Sequence, residues 1–142
     1  MKLKWIFGVL FLTTFVFKAY PQTNNIPMNK EPVVLLVGRN LTVMEILKDE
    51  LLRYDRNIVY GNSMELIEPI LNKANINLII IGAGIPDEIR DEMQKNIKVL
   101  HPEIPLYMIE RTADGSPAKM IHFVNEKVIL WKIEQQIGVM SK

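Results

Sequence analysis

A Gly-Ala-Gly turn, formed by Gly82, Ala83 and Gly84, directly follows an apolar run and is the stretch best suited to hold a ligand. Backbone N–H groups in such a turn can form a concave anion-binding site, and Arg39 and Arg111 also follow apolar runs. These five residues could therefore bind an anion together. Glycines at a strand end commonly permit a tight turn through positive φ, and the run GAGIPD does not complete the dinucleotide-binding fingerprint. We therefore expect a geometric role first and anion binding second.

Other groups with catalytic or metal-binding chemistry are sparse. Asp87, Glu88, Asp91 and Glu92 crowd one stretch and could be metal ligands, but carboxylates at the start of a helix are favoured by its dipole. The chain has two histidines and no cysteine. This composition excludes thiolate catalysis and zinc–thiolate sites and leaves too few ligands for a histidine metal cluster. We therefore expect no catalytic residue, no metal site and no cofactor.

The elements that must position these residues follow from the alternation of apolar and amphipathic segments. Strands that alternate with helices on short connections predict a single α/β domain with a parallel sheet covered on both faces. Right-handed crossovers favour the flavodoxin-like strand order 2-1-3-4-5. The carboxyl ends of the strands then form the edge at which functional groups gather. Strands are predicted over residues 32–38, 57–60, 76–81, 105–109 and 119–124, and helices over residues 42–54, 62–74, 86–100 and 125–137.

Three details of the helices are also predicted. Thr42 and Glu45 have capping-box spacing and should start the first helix. Pro69 lies inside the second predicted helix, which must therefore kink there or begin only after Glu68. The third helix should bury four apolar residues that recur on one side of it: Ile89, Met93, Ile97 and Leu100.

Three stretches resemble the receiver domain of bacterial two-component response regulators. In that family an apolar strand is followed by aspartate, two residues, methionine or leucine, and then proline; here NLIII is followed by GAGIP at residues 82–86. HPEIPLYMIE resembles the receiver's passage into its fourth strand, and PVVLLVGRN resembles its first strand. The resemblance covers residues 32 to about 138 and implies a flavodoxin-like domain with five strands.

The residues on which receiver chemistry depends are replaced in this chain. The family's phosphoacceptor aspartate corresponds to Gly82, and its two magnesium-binding acids correspond to Gly38 and Arg39. Its threonine or serine corresponds to about Glu110, and the nearest match to its lysine is Lys127. Transfer of a phosphoryl group to a protein carboxylate needs that carboxylate, and Mg²⁺ needs oxygen ligands. The resemblance therefore implies a degenerate pocket in a signalling module without catalytic activity. The alternative is a small-ligand or anion-binding domain that uses Gly82–Gly84 and Arg39.

Partner contacts are expected toward the carboxyl terminus. Too few residues follow Glu110 for a complete fourth helix, so that helix should be short or missing and should leave part of the sheet uncovered, which invites pairing. The apolar run VILW exceeds one helix face, and Val128 and Trp131 are its candidate partner contacts. We expect an unknown protein partner or a homodimer. Nucleic acid is not expected, because the net charge is only +1 and basic residues are not clustered.

The first 27 residues have a basic start and an apolar run at residues 5–17. That length fits a signal peptide better than a membrane span, but Phe17 and Lys18 precede Ala19 where a peptidase prefers small residues. The segment could instead be an uncleaved anchor, or translation could begin at Met28. We expect a cytoplasmic protein, with export or anchoring through residues 1–19 as the alternative and membrane contact only if residues 5–17 are retained. Residues 28–31 are a predicted linker, 32–138 the domain and 139–142 a tail.

Overall fold

Four strands and four helices alternate along residues 30–111 and 116–140, the part of the chain that the computed structural model describes. The strands are β1 (Val33–Val37), β2 (Asn57–Gly61), β3 (Leu78–Ile81) and β4 (Leu106–Met108). The helices are α1 (Leu41–Leu52), α2 (Met64–Lys73), α3 (Asp87–Leu100) and α4 (Pro117–Met140). The predicted N-terminal segment, residues 1–27, lies outside the described residues, so its interpretation and the cytoplasmic location stay predictions. Within the described residues, no helix is long and apolar enough to cross a bilayer.

The sheet is parallel throughout and has the order β2-β1-β3-β4. Its two central strands, β1 and β3, are almost wholly buried, as expected of strands that helices cover on both faces. The predicted flavodoxin-like fold and the order 2-1-3-4 are thereby confirmed. The prediction of a fifth strand is wrong, because residues 119–124 belong to helix α4 in the structure.

The spacing of apolar residues explains why residues 119–124 are helical. Val124 and Val128 are completely buried against the sheet, and Met120 packs beside them. These three residues recur at intervals of four, which places them on one side of a helix. The short alternation around His122 is also compatible with a strand, but the longer four-residue pattern continues into the following helix and prevails. Within the described residues, no separate helix lies between β4 and α4. This agrees with the prediction that the helix after the fourth strand is short or missing.

The side chains of β1 and β3 alternate between two cores. Val34, Leu36, Leu78 and Ile80 face helices α1 and α4. The intervening residues face helices α2 and α3 on the other side of the sheet: Leu35, Val37, Ile79 and Ile81. A period of two residues is the geometry of a β-strand, so these continuous apolar runs fill both layers at once.

Local details of α1 and α3 differ from the predictions, and the range of α2 excludes one of the two alternatives predicted for it. The Asn40 side chain caps α1 by accepting from the N–H groups of Thr42 and Val43, so the predicted cap at Thr42 is wrong. Helix α2 contains Pro69 without interruption of its range, which excludes a start after Glu68.

The buried side of α3 also differs from the predicted one. It is formed by Arg90, Met93 and Ile97, whereas Ile89 and Leu100 are about half exposed. The prediction followed the apolar residues alone and therefore placed the stripe partly on the solvent side.

The amino ends of the strands are tied together by one carboxylate. Glu31, just before β1, binds Arg56 at 2.7 Å and Lys132 of α4 at 2.5 Å. Arg56 also donates from Nε to the Asn125 side chain at 2.8 Å. All four residues belong to the compact unit Glu31–Ile133, which contains the sheet; the other described residues, 30 and 134–140, are grouped in a second unit. This network joins the chain before β1, the loop before β2 and helix α4.

Candidate functional site

A cavity of about 910 Å³ lies where the carboxyl ends of the strands meet. Its wall combines the loops after β1 and β3, the end of β4, and the first turns of α4. The structure brings together at this cavity every residue predicted for the degenerate receiver pocket and for anion binding: Gly38, Arg39, Gly82, Ala83, Gly84, Glu110, Arg111 and Lys127. The topology explains the convergence, because parallel strands place all their carboxyl ends at one edge.

The glycines of the cavity are explained by close packing. No glycine among the described residues has a positive φ, so the predicted turn through positive φ is wrong. A β carbon on Gly38 would lie 2.4 Å from the side chain of Met44. A β carbon on Gly82 would lie 3.1 Å from Met120 Cε and 3.2 Å from the Val37 carbonyl oxygen. Both positions therefore leave little room for a side chain.

Two backbone groups of the Gly-Ala-Gly turn are bonded within the domain. Gly82 donates its N–H to the Val37 carbonyl at 2.7 Å, which extends the sheet by one residue. The carbonyl of Ala83 accepts from Arg111 Nε at 3.1 Å. Because the Gly82 N–H is already bonded, it is not available to bind an anion.

The two candidate anion-binding arginines differ in their surroundings. Arg111 braces the β3–α3 loop: besides Ala83, it donates to the Ile85 carbonyl at 2.6 Å and lies 3.3 Å from an Asp87 carboxylate oxygen. Arg39 is exposed and makes no hydrogen bond or ion pair with any other residue that the structure describes. An incoming anion can therefore bind the guanidinium of Arg39 without breaking a contact within the described part of the chain.

Lys127 lies within the wall of the cavity with its charge directed at two aromatic rings. Its Nζ is 4.8 Å from the centre of the Tyr107 ring and 5.1 Å from that of Phe123. Both distances are within the range of a cation–π interaction. Among the described residues that line the cavity, Glu110 is the one carboxylate, and it is exposed. The described residues of this edge therefore provide positive charge and an apolar wall but no pair of acids.

Arg90 is a residue that the sequence interpretation missed. It is 5% exposed and donates from one terminal nitrogen to the Ile109 carbonyl at 2.6 Å, while its Nε has no hydrogen-bond partner in the described structure. It thereby ties α3 to the chain that leaves β4. The spacing of Arg90, Met93 and Ile97 at i, i+3 and i+7 is that of a buried helix stripe, and this pattern could have identified it.

The two candidate partner contacts on α4 also differ. Val128 is completely buried against the sheet, which corrects its interpretation as a partner contact. Trp131 is partly buried beside the same core. Apolar residues on the outer side of α4 are more available, because Ile129 and Ile133 are 52% and 46% exposed and Leu130 is 37% exposed.

Solved structures that are similar to this chain in fold include two receiver domains. One is a CheY-like response regulator receiver domain protein from Methanospirillum hungatei JF-1, with 14% identity, a TM-score of 0.58, and coverage of 74% of this chain and 99% of that chain. This chain has the receiver-domain fold. The signal receiver domain of an HD domain-containing protein from Pseudomonas fluorescens Pf-5 agrees, with 15% identity, a TM-score of 0.53, and coverage of 80% and 100%. No protein-family model and no curated protein matches the chain.

Proposed function

We propose that this receiver-like chain is a protein-interaction and signalling module that works without phosphorylation and has no catalytic activity. The single observation that carries the proposal is Gly82 at the end of β3, with Met120 packed over it. The resemblance to receivers puts the phosphoacceptor at this position. Glycine has no nucleophilic group, and a side chain at this position would have to displace the end of the Met120 side chain.

The surroundings of Gly82 support the same proposal. Gly38 and Arg39 stand after β1, where the resemblance implies two magnesium-binding acids. Mg²⁺ is bound through carboxylate and other oxygen ligands, whereas a guanidinium repels it. Lys127, the nearest match to the receiver lysine, is held by aromatic rings. The described residues of the pocket thus include neither the aspartate nor the two acids that the resemblance implies for a phosphorylation switch.

Exposure of the chain to acetyl phosphate with Mg²⁺, followed by intact mass spectrometry, tests this proposal. We expect no phosphoryl adduct, in contrast to a phosphorylatable receiver treated in the same way. A stable adduct that maps to this edge of the sheet would contradict the proposal.

A protein partner is favoured by the apolar outer side of α4. Ile129, Leu130 and Ile133 form a contiguous exposed group on one helix, and exposed apolar patches mark association sites. Replacement of Ile133 by serine should weaken recovery of the partner in affinity capture or, for a homodimer, self-association in analytical ultracentrifugation. Ile46→Ser on α1 is a matched control, because Ile46 is 57% exposed. Equal effects of the two variants would contradict a contact on α4.

Small-ligand binding at the strand-end cavity is a second candidate function. It is favoured by one observation: Arg39, which has no side-chain partner among the described residues, borders a cavity of about 910 Å³, within the usual size range of small-molecule sites. A ligand screen by thermal shift tests it, since stabilisation that Arg39→Ala abolishes would support a binding role.

A further inference from the structure

We infer that the strand-end cavity binds an organic anion, with the acid group on Arg39 and an apolar body against the side chains of Met120 and Phe123. This inference rests on the second candidate function, and it specifies the chemical class of the ligand. The acid group is a carboxylate or a phosphate, since a guanidinium binds either in the same forked geometry. The cavity residues and their contacts supply three arguments.

The wall of the cavity is mainly apolar, which favours a ligand with an apolar body. Met44 and Leu47 of α1 are 5% and 2% exposed at its base. Met120, Phe123 and Tyr107 are partly buried around it. Small-molecule sites are lined mainly by apolar and aromatic side chains with a few polar groups, and methionine side chains adapt to the shape of a ligand. An inorganic ion would leave this wall uncovered, whereas an apolar body would fill it.

The charge of the side chains that line the cavity favours an anionic ligand. Among the described residues that line the cavity, one carboxylate, that of Glu110, stands against four cationic side chains: Arg39, Arg111, Lys119 and Lys127. Groups of one sign in a concave site attract ligands of the opposite sign. A cationic ligand is therefore disfavoured, and an anion is favoured at the mouth of the cavity.

The contacts of the other polar groups in the cavity favour Arg39 as the residue that binds the acid group. Arg111 already donates to the carbonyls of Ala83 and Ile85, and Lys127 lies over two rings. The Gly82 N–H is bonded to Val37. Arg39 has none of these commitments within the described residues and can supply two parallel N–H donors to an acid group.

A probe series with one apolar body and different head groups tests the inference on the full chain. The probes are 4-phenylbutyrate, 4-phenylbutanamide and 4-phenylbutylamine, with acetate as an acid without the body and phenyl phosphate as the phosphate form. Methyl NMR of ¹³C-methionine-labelled protein reports on the cavity, because Met44, Met108 and Met120 line it. We expect saturable shifts of the Met44 and Met120 methyl signals with 4-phenylbutyrate. The acid should bind about tenfold more tightly than the amide, because a hydrogen bond to a charged group contributes about 1.5 kcal/mol. The amine and acetate should cause no shift. Binding of phenyl phosphate, whose apolar body is shorter, then shows whether the site also accepts a phosphate group.

Variants of Arg39 separate the charge from the cavity itself. Arg39→Gln should remove the difference between the acid and the amide, and Arg39→Lys should restore part of it. Arg53→Gln is the matched control, because Arg53 is an exposed arginine outside the cavity lining and its loss should leave binding unchanged.

Two results would overturn the inference in different ways. Equal binding of the acid, the amide and the amine would show that the ligand class is wrong although the cavity binds small molecules. Failure of every probe to shift the cavity methionines at millimolar concentration would count against both the inference and small-ligand binding. Neither result changes the phosphodonor test, so failure of the inference is distinguishable from failure of the phosphorylation-independent module.

Discussion

The methyl group of Met120 packs over the α carbon of Gly82, so that a β carbon at position 82 would come within 3.1 Å of it. This contact joins the last helix to the end of the third strand. It places the apolar side of α4 where the resemblance to receivers implies a phosphoacceptor side chain. A side chain at position 82 would therefore require the end of the Met120 side chain to move.

Substitution of Gly82 by aspartate should destabilise the domain by about 2 kcal/mol, because added atoms in a packed site force neighbours apart. The Val37 carbonyl, 3.2 Å from the new β carbon, is backbone and yields less readily than Met120. Combination with Met120→Ala should therefore restore only part of the loss. Urea denaturation measures both variants.

Gly84→Ala is the matched control for Gly82→Asp. Its β carbon would meet only Arg39 Cβ, at 3.7 Å, and its φ is not positive. The change in the free energy of unfolding should stay within about 1 kcal/mol. A Gly82→Asp protein as stable as Gly84→Ala would contradict the packing explanation.

The stability of the domain should fall in acid as the Glu31 carboxylate becomes protonated. Burial alone raises the pKa of this carboxyl, but hydrogen bonds from Lys132 and Arg56 outweigh burial and hold its pKa below the ordinary value of 4.5. A carboxyl whose pKa is lowered by folding stabilises the native state at pH above its unfolded pKa. This contribution is therefore complete above pH 4.5 and is lost as the pH falls through the lowered, folded pKa.

The variant Glu31→Gln isolates that contribution. At neutral pH it should cost about 1 kcal/mol of unfolding free energy, and the difference from the wild type should shrink in acid. Glu50→Gln is the control, because Glu50 is 42% exposed and paired only with Arg53 at 3.5 Å; such pairs contribute little. A Glu31→Gln difference that does not change with pH would refute the assignment.

Replacement of Arg90 by alanine should destabilise the domain by about 3 kcal/mol, since a buried hydrogen-bonded side chain is removed and the Ile109 carbonyl loses its donor. Arg53→Ala, at a side chain that is 75% exposed, should change stability by less than about 0.5 kcal/mol. Thermal unfolding of the two variants makes the comparison. Similar melting temperatures would show that the Arg90 contact contributes nothing measurable.

Truncation of two adjacent residues of α4 should lower the stability by very different amounts. Val128→Ala should cost about 2 kcal/mol, because a fully buried side chain leaves a cavity, whereas Ile129→Ala should cost less than about 0.5 kcal/mol at its exposed position. Chemical denaturation measures both. If Ile129→Ala proved the more costly, the helix would present a different side to the sheet.

The order of the first four strands could be predicted because their apolar runs are long and uninterrupted. Burial of β1 and β3 on both faces leaves few alternatives once crossovers are right-handed. Residues 119–124 could not be assigned in the same way, because six residues satisfy both a two-residue and a four-residue pattern. Only the packing of Met120, Val124 and Val128 on the same sheet face selects the helix.

The composition of the strand-end edge could also be predicted, because residues that follow parallel strands must meet there. The roles of those residues could not. Arg39 and Arg111 have the same side chain and similar positions after a strand, yet Arg111 is engaged by the carbonyls of a neighbouring loop and Arg39 is not. Arg90 was missed because a charged residue is seldom buried unless partners compensate for its desolvation.

By itself, the amino-acid sequence determined the class of fold and the absence of an aspartate after the third strand, because hydrophobic periodicity and residue identity are properties of the chain alone. Tertiary structure decided whether residues 119–124 form a strand or a helix and which glycines have no room for a side chain. It also decided which arginine has no partner among the described residues. These outcomes depend on contacts between residues far apart in sequence, such as Met120 with Gly82 and Arg111 with Ala83. Local pattern contains no information on such distances, and only the packed sheet and helices supply it.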